Sequence, residues 1–309
     1  MMNILGNGAI GNLLALQCHK LHLDYCILAR SQAPTELLCR AIEQTPQSHH
    51  SQPSFSTATA LHPVYHQETD SIDDGLFILP LKAYQIIPAI EQYKAKLSPE
   101  VPVALLHNGM VDQQHILQLL PSNPIIVATT SYGGFKPQPN KLNITGIGAT
   151  QAGWLRNSVD NPYFQSIFEK LLPPCTWHSD ISLILWRKLA VNAVINPLTA
   201  IYNIPNGALA QPQYHNTIMA INAEICTLMN RLEMPVTEQQ LLSNCMSIID
   251  KTAANYSSMH QDVLHNRKTE IENINGYVVS QGKILSIPTP INSHLLEQVR
   301  KIETYSGKK

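Results

Sequence analysis

Asn3-Ile4-Leu5-Gly6-Asn7-Gly8-Ala9-Ile10-Gly11 opens the chain, and the apolar-periodic stretch NLLALQCHKLHL follows it at 12–23. A short apolar run, a glycine-rich turn and a segment of helical length read as strand, turn and helix. Gly6, Gly8 and Gly11 fit the pattern G-x-G-x-x-G. In that pattern the first glycine permits the tight turn, the second lets a pyrophosphate approach the backbone, and the third lets helix pack on strand. The phosphates then lie at the positive end of the helix. The pattern alone is weak, because a tight turn without a ligand uses the same glycines. Its place at the first strand of an alternating α/β half favours a dinucleotide.

The next run, Asp24-Tyr25-Cys26-Ile27-Leu28-Ala29-Arg30, reads as a second strand, followed by a turn-like Ser31 to Pro34. An acidic residue at this strand end binds the ribose 2′-hydroxyl of NAD, whereas an arginine accommodates a 2′-phosphate. Arg30 stands there. Its guanidinium can hold a phosphate bidentately where a carboxylate would repel it. The expected cofactor is NADPH rather than NADH, the alternative being an ordinary surface arginine. The cofactor-binding residues read from turn and strand end are Gly6, Asn7, Gly8, Ala9, Ile10, Gly11 and Arg30.

Apolar runs at 75–81, 101–106 and 124–129 alternate with helix-like stretches at 84–96 and 111–120. Such alternation argues for a parallel α/β sheet. The segment 45–70, rich in Ser, Gln, His, Thr and Pro, reads as irregular or weakly stranded. Beyond about 180 the pattern turns to long helical segments at 182–196, 214–232, 237–255, 259–281 and 293–305. At 309 residues the chain also exceeds the roughly 250–300 beyond which one core stops growing. The expected fold class is α/β. A Rossmann-type dinucleotide-binding domain is expected over 1–179 and a mostly α-helical substrate-binding and catalytic domain over 180–309.

The formal net charge is −1 and the isoelectric point about 6.9, so no long-range field gathers nucleic acid or anionic lipid. The opening residues show no basic region followed by an apolar core, and no stretch approaches the roughly 18 consecutive apolar residues of a spanning helix. The chain reads as soluble and cytoplasmic. The expected partners are a small-molecule substrate and, among macromolecules, at most a second copy in a homodimer, with no nucleic acid and no membrane. Six cysteines, Cys18, Cys26, Cys39, Cys175, Cys226 and Cys245, form no C-x-x-C pair and read as isolated thiols. His49 and His50 are adjacent with no third ligand nearby, so a surface loop is favoured over a metal site, and no metal is expected.

In WRKLAVNAVINPLTAI, residues 186–201, Lys188, Asn192 and Asn196 stand four apart. On a helix they line one face with a drift of about 40° per step. The residues between them are apolar. Polar groups on a buried helix must satisfy one another or face a polar cleft, because each unpaired one costs about 1–3 kcal/mol. A lysine in a cleft can protonate an oxygen that becomes an alkoxide during hydride transfer, and the asparagines can hold a carboxylate and a hydroxyl. A satisfied structural network is the alternative. Pro197 is expected to end or kink this helix beside the site.

With LHNGM at 106–110, LKAYQ at 81–85, LGNGAIG at 5–11 and TEIENINGY at 269–277, this helix string resembles the ketopantoate reductase family. The matches run from the first strand to the final third of the chain. The helix string is specific, and the glycine motif is not. The resemblance implies reduction of 2-dehydropantoate (ketopantoate) to (R)-pantoate with NADPH, in pantothenate and coenzyme A biosynthesis. It also implies a role for each site residue, including several that spacing leaves unread. Lys188 would be the general acid, and Glu270 a second catalytic residue that lies near the nicotinamide ribose and orients the site. Asn192, Asn196, Asn206, Asn108 and Ser258 would bind substrate, with Ser258 on its carboxylate and Asn255 one helical turn earlier on the same face. Lys82, Asn108, Gly134 and Glu270 would join the cofactor set. Relatives commonly carry a histidine where Tyr132 stands. The alternatives are a related reductase of another 2-keto acid and a non-catalytic NADPH-binding protein.

Overall fold

The computed structural model describes residues 1–29, 34, 36–41, 56–66, 69–156 and 162–306. Arg30 and the pair His49 and His50 lie outside the described residues. The chain divides into two compact units, Met1–His107 with Asp112–Ile181, and Asn108–Val111 with Ser182–Lys309. The segment 108–111, inside the first half of the sequence, groups with the second unit.

The first unit opens with β1 (Met2–Leu5), α1 (Ala9–Lys20), β2 (Tyr25–Leu28), β3 (Leu37–Ala41), β4 (Thr59–Leu61) and β5 (Val64–His66). It continues with β6 (Leu76–Leu79), α2 (Ala83–Tyr93), β7 (Val103–Leu106), α3 (Gln113–Leu119) and β8 (Ile125–Thr130). A turn-rich end follows in β9 (Gly133–Gln138), β10 (Lys141–Gly146), β11 (Thr150–Arg156), α4 (Pro162–Leu171) and β12 (Cys175–His178).

The main sheet has the order β12-β11-β8-β7-β6-β1-β2-β5. Every residue of β1, β6 and β7 is buried, as expected of parallel strands covered on both faces. β1 pairs in parallel with β2 on one side and β6 on the other. The strand order therefore reverses at β1, and the crevice beyond its carboxyl end is where open α/β sheets bind ligands. The glycine turn occupies that end. The parallel α/β reading holds, with two additions that no apolar alternation announced. β11 pairs antiparallel with β8, and a second sheet runs β4-β3-β10-β9. Its inner residues Leu37, Cys39, Leu142 and Ile144 share a core with Leu13 and Leu16 of α1. The segment read as irregular or weakly stranded, 45–70, contains the three-residue strands β4 and β5 among its described residues.

The second unit contains α5 (Ile181–Tyr202), whose first residue belongs to the first unit, then α6 (Pro212–Arg231) and α7 (Glu238–Lys251). α8 (Ser258–Leu264), α9 (Asn275–Leu285) and α10 (Pro290–Ser306) complete it, with 3-10 turns at Asn206–Ala210 and Ile271–Asn273. Three expectations are corrected. Pro197 lies inside α5 and does not end it. The helix read to 255 stops at Lys251, so Asn255 precedes α8 in a non-helical connection and does not share a helical face with Ser258. The helix read over 259–281 is two helices, because Asn266 adopts a left-handed φ of 52° after α8 and the chain turns through Thr269–Asn273 before α9.

By length and composition α5 is apolar enough to cross a membrane, yet 67% of its most apolar window is buried inside the protein, as in a core helix. All six cysteines are free and all but Cys175 are buried. Burial pushes the thiols of Cys18 and Cys245 up to about 12, which leaves them inert.

Candidate active site

In the first unit, Gly6 has φ of 110°, a conformation that only glycine adopts without strain. A Cβ on Gly11 would stand 2.3 Å from the Gly6 carbonyl oxygen, so a larger residue there would force helix and strand apart. A Cβ on Gly8 would meet no described residue within 4 Å. Gly8 is also the N-cap of α1, and no side chain caps the helix. Open space beside uncapped first-turn N–H groups fits a pyrophosphate. Lys82, partly buried, precedes α2, and its backbone N–H donates to Gln85 Oε1 at 3.2 Å. The neighbouring Leu81 packs against Gly6, with Cδ2 3.2 Å from where a Gly6 Cβ would stand. On the other flank a Cβ on Gly134 would lie 3.9 Å from Ala9 Cβ. The first unit thus brings together the glycine turn, Lys82 and Gly134. The hydroxyl of Tyr132 donates to the Pro173 carbonyl, which anchors the strand leading to Gly134.

The second unit gathers Asn108, Lys188, Asn192, Asn196, Asn206, Ser258 and Glu270. Lys188, Asn192 and Asn196 share α5. Asn192 is partly buried and Asn196 buried, and neither side-chain amide has a hydrogen-bond partner among the described residues. No hydrogen-bond network among the described residues satisfies the two asparagines. Burial brings the Lys188 ammonium down from 10.5 to about 8, against the opposing pull of the Glu270 charge. Glu270 is only 4% exposed. A buried carboxylate acting on a lysine whose pKa approaches neutrality is an arrangement suited to proton transfer.

Backbone and side-chain bonds stitch the remaining groups to α5. The Thr199 and Ser257 hydroxyls are 2.7 Å apart, tying α5 to the cap of α8, and Ser257 Oγ accepts from the His260 N–H at 3.1 Å. Ser258 is next along, exposed, with its hydroxyl unpartnered among the described residues. His260 Nε2 contacts Asn203 Oδ1 at 2.7 Å, holding α8 to the end of α5. Asn206 N–H donates to the Asn255 carbonyl and its Nδ2 to Thr252 Oγ1, both at 2.9 Å, while its buried Oδ1 has no partner among the described residues. Asn273 Nδ2 donates to the Met110 carbonyl at 2.9 Å and its own carbonyl accepts from Met110 N–H at 2.8 Å. That pair of hydrogen bonds pins the Asn108 segment to the Glu270 turn. Thr199, Ser257, Asn203 and His260 had no signal in the sequence, since their partners lie up to 58 residues away.

A Rossmann-type α/β unit with an open glycine turn, joined to a helical unit bearing a lysine, unpaired amides and a buried carboxylate, defines a class of two-unit proteins built for dinucleotide-linked chemistry. Residues 2–157 match the family model described as "Ketopantoate reductase PanE/ApbA" and residues 180–303 match "Ketopantoate reductase PanE/ApbA C terminal". The chain belongs to the ketopantoate reductase family. It is 36% identical over 301 residues, 97% of each chain, to a 2-dehydropantoate 2-reductase of Vibrio cholerae. It is 35% identical over 230 residues, 74% of each chain, to one of Escherichia coli O157:H7. Its fold matches a D-mandelate dehydrogenase solved with NADH and anilino(oxo)acetate, at a TM-score of 0.86 and 21% identity over 99% of this chain and 100% of that one. It also matches a PanE/ApbA family ketopantoate reductase from Ralstonia eutropha, at a TM-score of 0.83 and 21% identity over the same shares.

Proposed function

We propose that this protein reduces ketopantoate to (R)-pantoate with NADPH, in the cytoplasm, as a step toward pantothenate and coenzyme A. Family membership supports the substrate. The unpaired amides of Asn192 and Asn196, in line with Lys188 on α5, are the observation that carries the chemistry.

NADPH, when bound, supplies the hydride to C2 of the keto acid. Its pyrophosphate has a fitting seat at Gly6, Asn7, Gly8, Ala9, Ile10 and Gly11, with Lys82 and Gly134 on the flanks and Asn108 and Glu270 assigned to the nicotinamide ribose. Arg30 is assigned to the 2′-phosphate. Lys188 gives its proton to the carbonyl oxygen, and Glu270 favours the protonated lysine until then. Asn192, Asn196 and Asn206 hold the substrate's hydroxyl and carbonyl oxygens, and Ser258 its carboxylate. Binding of oxygens by amides and hydroxyls in partly desolvated surroundings strengthens each contact relative to water.

The D-mandelate dehydrogenase likeness favours one second reading, a reductase of another 2-keto acid using NADH. Initial rates of NADPH and NADH oxidation with ketopantoate and a panel of 2-keto acids separate the two. The expected result is the highest kcat/KM with ketopantoate and NADPH, and loss of that cofactor preference in Arg30→Ala. A higher kcat/KM with NADH or with another keto acid would overturn the reading.

A further inference from the structure

Lys136 has no part in the reading above. It lies on β9, where Phe135 pairs with Asn143 and Gln138 with Lys141, so Lys136 and Pro137 together oppose Leu142 alone. Two residues against one is a β-bulge, a device that re-aims a side chain and recurs beside functional sites. The bulged lysine reaches 129 residues back along the sequence: Nζ donates to the Asn7 carbonyl at 3.0 Å and to Asn7 Oδ1 at 2.9 Å. Asn7 is the residue between Gly6 and Gly8 of the turn. The second sheet is close here, since a Gly134 Cβ would lie 3.9 Å from Ala9 Cβ.

Two of the three ammonium donors go to Asn7, and among the described residues no carboxylate pairs with the charge. A partly buried cation without a counter-ion is unfavourable unless a ligand supplies one. Desolvation lowers the pKa of Lys136, in keeping with a charge short of partners. We propose that Lys136 is a cofactor-positioning residue, which clamps Asn7 in the glycine turn and presents positive charge to the pyrophosphate seated there. The proposal rests on the dinucleotide reading of the first unit. It also accounts for the second sheet, which carries a cation to the turn from a strand that the dinucleotide pattern does not include.

The test is equilibrium titration of the unliganded protein with NADPH and with NADH, followed by nucleotide fluorescence, for wild type, Lys136→Met, Lys136→Gln and Lys136→Arg. Loss of the charge should raise Kd about tenfold for both nucleotides alike, because both contain the pyrophosphate. Lys136→Gln keeps a donor for Asn7 without the charge and should weaken binding as Lys136→Met does; it carries the test if the methionine variant does not fold. Lys136→Arg should bind within about threefold of wild type, since it restores the charge. The Kd of the neutral variants should also depend less steeply on salt concentration. Unchanged Kd in both neutral variants overturns the proposal, as does weakening of NADPH alone, which would move the charge to the 2′-phosphate. A wild type that binds neither nucleotide overturns the dinucleotide reading itself.

Discussion

Lys188 works as an acid only while protonated. Burial has lowered its pKa from 10.5 to about 8, so the protonated fraction falls as pH rises through about 8. The expected pH profile of kcat/KM declines on the alkaline side near 8, in place of a plateau toward 10. Because Glu270 raises the lysine pKa, Glu270→Gln should shift that decline to lower pH; a decline that stays in place or moves up would remove Glu270 from the proton-transfer role. Lys188→Ala should lower kcat by about 10²–10⁴-fold with the Kd for NADPH nearly unchanged. Asn192→Ala and Ser258→Ala should each raise KM for ketopantoate about tenfold and KM for NADPH far less, in steady-state assays. A larger rise for NADPH would move these residues to the cofactor. At this scale the polar stripe on α5 was legible, because positions four apart share a helical face. Glu270 and Ser258 were not: a turn and a helix break separate them, and only family resemblance pointed to them.

Pro197 read as an end or a kink of the helix, since it lacks the N–H that would bond the Ala193 carbonyl. α5 continues through it because that carbonyl accepts instead from Asn275 Nδ2 at 3.0 Å, from the start of α9. Asn275 is fully buried and also donates to Asn292 Oδ1 at 2.9 Å, and Asn292 in turn donates to Glu224 Oε2 at 2.7 Å. Thr199 closes the next turn by donating to the Ile195 carbonyl at 2.7 Å. Asn275→Ala should therefore cost about 1–3 kcal/mol, read from the denaturant midpoint, by orphaning a buried carbonyl. A loss within a few tenths would show that the helix needs no partner there. No local rule reveals such a bond, because the asparagine lies 82 residues from the carbonyl it serves. The break after α8 escaped the sequence for a related reason. Ile271 stands seven residues, about two helical turns, beyond Leu264, so the apolar spacing resumes in phase across the polar run 265–270, and the left-handed φ of Asn266 is a tolerated choice for asparagine and not a demanded one.

On the scale of the molecule, the segment 108–111 belongs to the second unit although the chain on both sides of it builds the first. Gly109 makes the crossing feasible. Its φ is 67°, and a Cβ would stand 2.8 Å from the Asn273 carbonyl oxygen, the same oxygen that accepts from Met110. Gly109→Ala should destabilise the protein by about 1–3 kcal/mol through strain and displacement of that bond, measured as a fall in Tm. An unchanged Tm would mean the segment is not held by Asn273. Hydrophobic alternation and the glycine turn were enough to determine an α/β half followed by a helical half, and the spacing on α5 was enough to single out a lysine and two amides, because both signals are periodic and local. Tertiary structure alone decided that the opening turn is clamped by Lys136 from a second sheet, that Pro197 sits inside a continuous helix, and that 108–111 changes unit. Each depends on hydrogen bonds between residues more than 80 positions apart, which no local pattern encodes.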